Sequence, residues 1–368
     1  MRQKIQPMDQ NKNILPVQTA IIGFGNAAKI MHAPFLLALS KYYSIEAVLE
    51  RHRSDSTEMF PDAKIVRTVD ELLAMDQIEL VIITTPNDSH FTYAKAALEA
   101  GKNVVVDKPF TIHSSEAKEL IDLAGKKNKI ITVYQNRRFS SDFVFVKEML
   151  DSNILGEIHT YETHYHRYRA EAKPDAWREK PSEGSGILYD LGSHLIDQAM
   201  LLFGKPGTVY AETKLQRPHA KAVDWFELHL DFGNTKAILK AGMLVREPGP
   251  RFLIHGTKGS LIKYGEDAQE AALKRGETPM GENDLQWGIE VEESYAVIHT
   301  EIDEKIEKRT IGEFRGNYGS FYLNLYKSIR ENAPLSVLPK QAYNTIRIIE
   351  LAIESSRFGK KIACSDLM

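Results

Sequence analysis

The chain has 368 residues, 43% hydrophobic and 26% charged, a balance that fits a folded protein of two domains and excludes disordered and fibrous classes. Forty-seven basic side chains against 50 acidic ones leave a net charge of −3 with no block of like charge, so nucleic acid is not an expected partner. The single cysteine, Cys364, excludes an internal disulfide and a cysteine-based metal site and fits a reducing, cytoplasmic setting, and no apolar run approaches the roughly 18 residues of a membrane span.

Residues 1–16 are expected to form a loose arm, because they mix charges with two prolines and contain no apolar run like a signal-peptide core. From 17 to 137, short β-branched runs alternate with amphipathic stretches, which predicts a parallel sheet with helical crossovers, the α/β dinucleotide-binding (Rossmann) arrangement. Strands are predicted at Thr19–Ile22, Ile45–Leu49, Lys64–Val66, Leu80–Thr84, Asn103–Val106 and Ile130–Val133, and helices at Asp70–Met75, Ser89–Ala100 and Ser114–Lys127.

The first strand runs into Gly23-Phe24-Gly25-Asn26-Ala27-Ala28, a G-x-G-x-x-A turn that should open a helix ending near Ser40. Small residues there let the backbone approach a pyrophosphate with N–H groups aimed at the anion. The second strand ends at Glu50-Arg51-His52-Arg53, where such a fold meets the adenosine ribose. Glu50 would accept both ribose hydroxyls and argues for NAD; Arg51 and Arg53 would receive a 2′-phosphate and argue for NADP.

Strand four leads to Thr85, Pro86 and Asn87, expected beside the nicotinamide, and to His90, equally suited to packing and to ligand contact. Strand five ends in Asp107-Lys108-Pro109; Lys108 could polarise a substrate oxygen or form a plain surface ion pair. Asp107 and Gln135 lie at the same edge and are counted with the cofactor contacts.

From 138 to 368 the rhythm changes to a second, α+β domain. A helix is predicted at Asp142–Leu150, then strands at Glu157–His166, Gly207–Leu215, Trp225–Phe232, Lys236–Ala241, Arg251–His255 and Ser260–Lys263. Their period-two alternation implies a large, mostly antiparallel sheet with one face open or covered. Late helices are predicted at Tyr318–Asn332 and Lys340–Phe358, and the last could pack back on the first domain. A helix starting near Leu191 would put Asp190, His194 and Asp197 on one face, with Asp190 tuning His194 as a proton shuttle; the alternative is a cap and a core histidine. Arg137, at the domain junction, and Tyr168, Trp177 and Arg178, in a polar-aromatic stretch, suit sugar hydroxyls. His164 and His166 share a strand face but have no third ligand in sequence, so no metal is expected.

Taken together, Ile22-Gly23-Phe24-Gly25, Thr85-Pro86-Asn87, Asp107-Lys108-Pro109, Asn136-Arg137-Arg138 and Asp190-Leu191-Gly192-Ser193-His194 resemble the Gfo/Idh/MocA oxidoreductases from about Val17 to Ile362. Within that family, Trp177-Arg178-Glu179-Lys180, Ile254-His255-Gly256 and Ile262-Lys263-Tyr264-Gly265 are most similar to NADP-dependent scyllo-inositol dehydrogenases. Asp107 stands where the family has glutamate.

The resemblance implies NAD(P) as cofactor, with NADP favoured, and hydride transfer between a ring hydroxyl and a ketone of a cyclic polyol or sugar. It casts His194 as general acid/base, Asp190 as its relay partner and Lys108 as the polarising group. It also implies a homodimer or homotetramer built through the open sheet. A non-catalytic dinucleotide sensor, or a relative acting on a diol, bilin or glycoside, is the competing expectation.

Overall fold

The structure, a computed structural model, describes residues 15–173, 176–302 and 305–368, so most of the expected N-terminal arm lies outside the described residues. Strands β1 (Val17–Ile22), β2 (Tyr43–Leu49), β3 (Lys64–Val66), β4 (Leu80–Ile83), β5 (Asn103–Val106) and β6 (Ile131–Val133) form one sheet in the order β3-β2-β1-β4-β5-β6. All its pairings are parallel. Every residue of β4, and Val104 to Val106 of β5, is fully buried, which is why these strands read as unbroken apolar runs.

Register then fixes the functional edge. Ile22 pairs with Leu49 and Ile83, Ile83 with Val106, and Val106 with Val133. The residues that follow, Gly23, Glu50, Thr84, Asp107 and Tyr134, therefore share the carboxyl edge of the sheet. That is the edge at which ligands bind in open α/β sheets.

The second sheet has nine strands: β7 (Ile158–His166), β8 (Thr208–Lys214), β9 (Trp225–Asp231), β10 (Lys236–Gly242), β11 (Phe252–Gly256), β12 (Gly259–Lys263), β13 (Ala296–Ile302), β14 (Lys305–Ile311) and β15 (Ile362–Ala363). Their order is β14-β13-β12-β11-β7-β10-β9-β8-β15, antiparallel except where β7 meets β10. One face carries Tyr161, Phe226, Leu228, Leu239 and other buried side chains toward the helices Ser193–Phe203 and Pro339–Phe358. The opposite face carries a ladder of half-buried polar groups in which Lys240 bridges Glu162 and Glu227.

The hairpin β13–β14 and the two-residue β15 extend the predicted sheet. β14, Lys-Ile-Glu-Lys-Arg-Thr-Ile, is charged and largely exposed, as befits an edge strand guarded against further pairing, and so lacks a strand's apolar signature.

Two late helices pack back across the expected boundary at 137/138. The helix Gly319–Glu331 returns to the parallel sheet, where Tyr322 packs against Tyr134 and Tyr43 with ring centroids 5.5 and 5.6 Å apart. The helix Pro339–Phe358 contacts both halves: Glu350 accepts hydrogen bonds from the N–H and Oγ of Ser114, each 2.7 Å long.

Asp197 lies deep in this packing. Arg138 holds it in a two-pronged pair, Nε to Oδ2 at 2.7 Å and Nη2 to Oδ1 at 2.6 Å, with both side chains buried. Truncating one member of a buried pair strands the other's charge, at a cost of about 3–5 kcal/mol. Arg138→Met should therefore lower the urea midpoint markedly, whereas Lys118→Met, at an exposed helix pair with Asp122, should cost about 0.5 kcal/mol or less. Equal midpoints for the two variants would refute this account.

Candidate active site

A cleft of about 960 Å³ opens between the carboxyl edge of the parallel sheet and the end of β7. Its floor begins with the turn after β1. Gly23 has φ +87°, and a Cβ there would lie 2.9 Å from Thr85 Cγ2, so this position requires glycine. A Cβ on Gly25 would meet nothing within 4 Å; it would project into open space over the turn. Asn26 makes no side-chain cap, and in the first turn the Lys29 N–H closes onto the Gly25 carbonyl at 3.0 Å, leaving the earlier N–H groups without a side-chain partner. That helix starts as a π-helical segment, Ala27–His32, before tightening into α over Ala33–Ala38. An uncapped helix start beneath a bare glycine backbone fits a dinucleotide's pyrophosphate.

Glu50 lines the cleft, but its carboxylate turns back into its own loop. Oε1 accepts from the N–H of Ser56 at 2.9 Å and from its Oγ at 2.6 Å, and Oε2 accepts from Asp55 N–H at 3.1 Å. Three of roughly four acceptor positions are filled. The carboxylate thereby braces the turn that displays Arg51 and Arg53, with one acceptor position left toward the cleft that Glu50 was expected to serve. Both arginines line the cleft and are exposed.

Phe24, Thr85, Pro86 and Asn87 also line the cleft, although Asn87 spends its Nδ2 on the carbonyl of Gly184 at 2.8 Å, tying the β4 loop to the second half. His90 and Gln135 do not line it. The His90 ring is buried, with Nδ1 2.8 Å from the Pro109 carbonyl and Nε2 2.9 Å from the Thr85 carbonyl, so it clamps two cleft loops from behind.

At the far end of the cleft, Lys108 Nζ donates to both the main-chain oxygen and Oδ1 of Asp190, each at 2.8 Å. Asp190 sits on a π-helical turn, Leu188–Gly192, that leads into the helix Ser193–Phe203. Gly192 packs closely in that turn, where a Cβ would lie 3.0 Å from Leu188 Cδ1 and 3.4 Å from Phe226 Cζ. The expected i, i+4, i+7 face is not shared by all three: Asp190 and His194 line the cleft, while Asp197, one turn further along the same helix as His194, pairs with Arg138 behind it.

Asp190 is engaged by Lys108 and, at 3.5 Å, by Arg178, rather than hydrogen-bonded to His194. Burial alone would raise its carboxyl, yet the charges of Lys108 and Arg178 and the Lys108 hydrogen bond hold it well below the usual carboxylate range. Among the described residues His194 Nδ1 has no hydrogen-bond partner.

Arg137, Trp177 and Arg178 line the same end, with Arg178 stacked 4.4 Å over the Trp177 ring. Tyr168 does not: its exposed ring carries Arg246 at 3.8 Å, and its neighbours Arg167 and Arg169 face the cleft instead. Tyr165, Glu270 and Lys274 complete this end without having been singled out as contacts in sequence. The last two come from a short helix, Ala268–Lys274, whose only sequence signal is a brief alanine-rich run.

Burial, helped by repulsion from Lys108 and Arg137 and opposed by Asp190, holds His194 well below the ordinary histidine value. Burial also brings His166 down to about 4, with His164 and Lys240 adding repulsion against Glu162. Both histidines take up a proton more readily in the unfolded chain. Stability from them is complete above pH 6.5, the ordinary value, and is lost as pH falls below it, for His166 down to about pH 4. Urea unfolding at pH 7.5 and 5.5 should show this loss, and His194→Gln should shrink it; an unchanged pH dependence in the variant would remove His194 from the account.

Two family models match the chain. "Oxidoreductase family, NAD-binding Rossmann fold" covers residues 17–135, and "Oxidoreductase family, C-terminal alpha/beta domain" covers 147–364. The chain is 40% identical over 346 residues to scyllo-inositol 2-dehydrogenase (NADP(+)) IolW of Bacillus subtilis, covering 94% of this chain and 95% of that protein. Among solved structures, the Bacillus subtilis oxidoreductase yvaA superposes with a TM-score of 0.91 at 39% identity, covering 96% of this chain and 99% of the other. An oxidoreductase from Bacteroides fragilis superposes at 0.86 and 41% identity, covering 95% and 100%. No helix among the described residues is long and apolar enough to cross a membrane.

Proposed function

The chain belongs to the Gfo/Idh/MocA family of NAD(P)-dependent oxidoreductases, and from that premise we propose that it interconverts a secondary hydroxyl and a ketone on a cyclic polyol or sugar of the inositol type. The observation that carries this reading is the approach of Lys108 and Asp190 beside His194, at the cleft end away from Arg51 and Arg53.

The division of labour follows from donor counting. An ammonium has three N–H groups, and Lys108 commits two of them to Asp190, leaving one for a substrate oxygen. Such a hydrogen bond stabilises the oxygen as it gains negative charge. His194, kept neutral by burial and by the neighbouring cations, is free to take the hydroxyl proton during oxidation and to return it during reduction. Asp190 fixes the ammonium's position and offsets its charge, which makes it a positioning residue for Lys108. The turn Gly23–Ala27 would hold the pyrophosphate, and Thr85 and Pro86 would flank the nicotinamide, which when bound supplies the hydride acceptor or donor.

NADP is the proposed partner rather than NAD. Support comes from the carboxylate of Glu50 being occupied within its own loop while Arg51, and Arg53 with only a loose, exposed contact to Asp55 at 3.8 Å, face a 2′-phosphate. The scyllo-inositol 2-dehydrogenase to which the chain is similar is named for NADP(+). We further assign residues 17–137 to cofactor binding and 138–368 to substrate binding and self-association, as a homodimer or homotetramer through the polar outer face of the second sheet.

The test is to supply NAD+ or NADP+ with a panel of inositol isomers and aldoses and to follow absorbance of the reduced cofactor. Turnover with NADP+ is expected, and dinucleotide binding with no turnover across the panel would defeat the proposal. Lys108→Met and His194→Gln should each lower kcat/KM by about 10²-fold or more while NADPH still binds, as removal of a proton-handling group does. Replacing Arg51 and Arg53 together by serine should raise KM for NADP+ by about tenfold or more, the scale of losing charge-assisted contacts worth over 1.4 kcal/mol. A matching rise for NAD+ would show that the two arginines do not read the 2′-phosphate.

A further inference from the structure

The substrate end of the cleft carries more positive charge than its own carboxylates can match. Lys108, Arg137, Arg167, Arg169, Arg178 and Lys274 line it, against Asp107, Asp190 and Glu270. Asp190 is already shared between Lys108 and Arg178, and Glu270 between Arg137 and Lys274. Among the described residues Arg167 and Arg169 make no side-chain hydrogen bond or ion pair. Only their main-chain groups are engaged, Arg167 N–H to Gly242 and Arg169 N–H to Met243, and these bonds fix the backbone that presents both guanidiniums to the cleft.

Unpaired arginines cost little in open water, but here they sit in a concave site beside four other cations. The repulsion registers on the neighbours. Burial and then Arg167 hold Arg169 below the ordinary arginine value, with Asp190 and Glu179 only partly opposing. Burial, Arg167 and Arg137 likewise lower Lys274. A neutral polyol would leave that repulsion in place. An anion would relieve it, and a planar guanidinium fork matches carboxylate and phosphate oxygens in two-pronged geometry.

We infer that the preferred substrate carries an anionic group, a carboxylate or a phosphate on the ring or its side arm, held by Arg167 and Arg169 while Lys108 and His194 face the reacting hydroxyl. This rests on the reading of the cleft as a ring-hydroxyl dehydrogenase site and narrows its substrate class. The cofactor's own phosphates are the other conceivable occupant, but the Gly23–Ala27 turn and the Arg51–Arg53 loop already provide for them at the opposite end.

The test compares D-glucose, D-glucuronate and D-glucose 6-phosphate on the full chain, first as ligands of the NADPH complex by titration calorimetry and then as substrates with NADP+. Glucuronate or the phosphate should bind at least tenfold more tightly than glucose, with an advantage that shrinks as salt rises; which of the two binds better identifies the group. In Arg167→Met/Arg169→Met the ratio of anion to glucose affinity should fall tenfold or more while NADPH affinity stays within about twofold. Glucose bound or turned over as well as the anions would overturn the inference and leave the dehydrogenase reading standing. Loss of NADPH affinity in the double variant would also overturn it, by assigning the arginines to the cofactor. Tight, salt-sensitive anion binding without turnover of any of the three would uphold the anion site and count against ring-hydroxyl oxidation.

Discussion

The ion pair between Lys108 and Asp190 is the contact on which the site turns, because its two members are carried by different sheets. Lys108 stands one residue beyond the carboxyl edge of the parallel sheet, whereas Asp190 stands on the π-helical turn leading into a helix packed on the second sheet. At an effective dielectric of about 20, opposite charges this close attract by roughly 4–6 kcal/mol before desolvation. Partial burial cancels much of that gain. The pair therefore contributes position more than stability: it holds an ammonium, with one donor to spare, where the two halves of the chain meet.

Its electrostatic consequence reaches His194. A histidine buried beside a carboxylate alone would be pushed toward the charged form. Here the carboxylate is already committed to a lysine, so the cations and burial prevail and the imidazole stays neutral. In the proposed mechanism one pairing thus sets both roles, with the donor on Lys108 and the proton acceptor on His194. The same accounting, applied along the cleft, leaves Arg167 and Arg169 without an ion-paired carboxylate among the described residues, Asp190 and Glu179 acting on Arg169 only at longer range.

Much of the fold was legible in the chain because its parallel strands are buried on both faces. Leu80–Ile83 and Asn103–Val106 announce themselves, and their ends mark the edge where Gly23, Glu50 and Asp107 must lie. What eluded sequence reading was side-chain direction. Nothing in Glu50-Arg51-His52-Arg53 says that the glutamate turns back to brace Ser56, and nothing in Arg167-Tyr168-Arg169 says that the aromatic ring faces away from the cleft. The separation of Asp197 from His194 within one α-helix comes from partners that spacing does not reveal: His194 faces the cleft, while Arg138 draws Asp197 into a buried pair. Glu270 and Lys274 reach the cleft from a seven-residue helix that only tertiary packing brings near.

The cleft is also fastened from several sides. Asn87 reaches Gly184, Ser114 meets Glu350, Thr132 Oγ1 donates to the Val337 carbonyl at 2.8 Å, and Arg330 grips Glu79 through both oxygens at 2.7 and 2.6 Å. Each tie joins the first 137 residues to a later segment, and together they lie on different flanks of the parallel sheet. A large hinge motion would have to break several at once, including a two-pronged arginine–carboxylate pair. Under the proposed reading, selection among ring substrates then falls to the side chains already facing the cleft, and among the described residues Arg167 and Arg169, just past the end of β7 and in no ion pair, differ most from what a neutral ring would require.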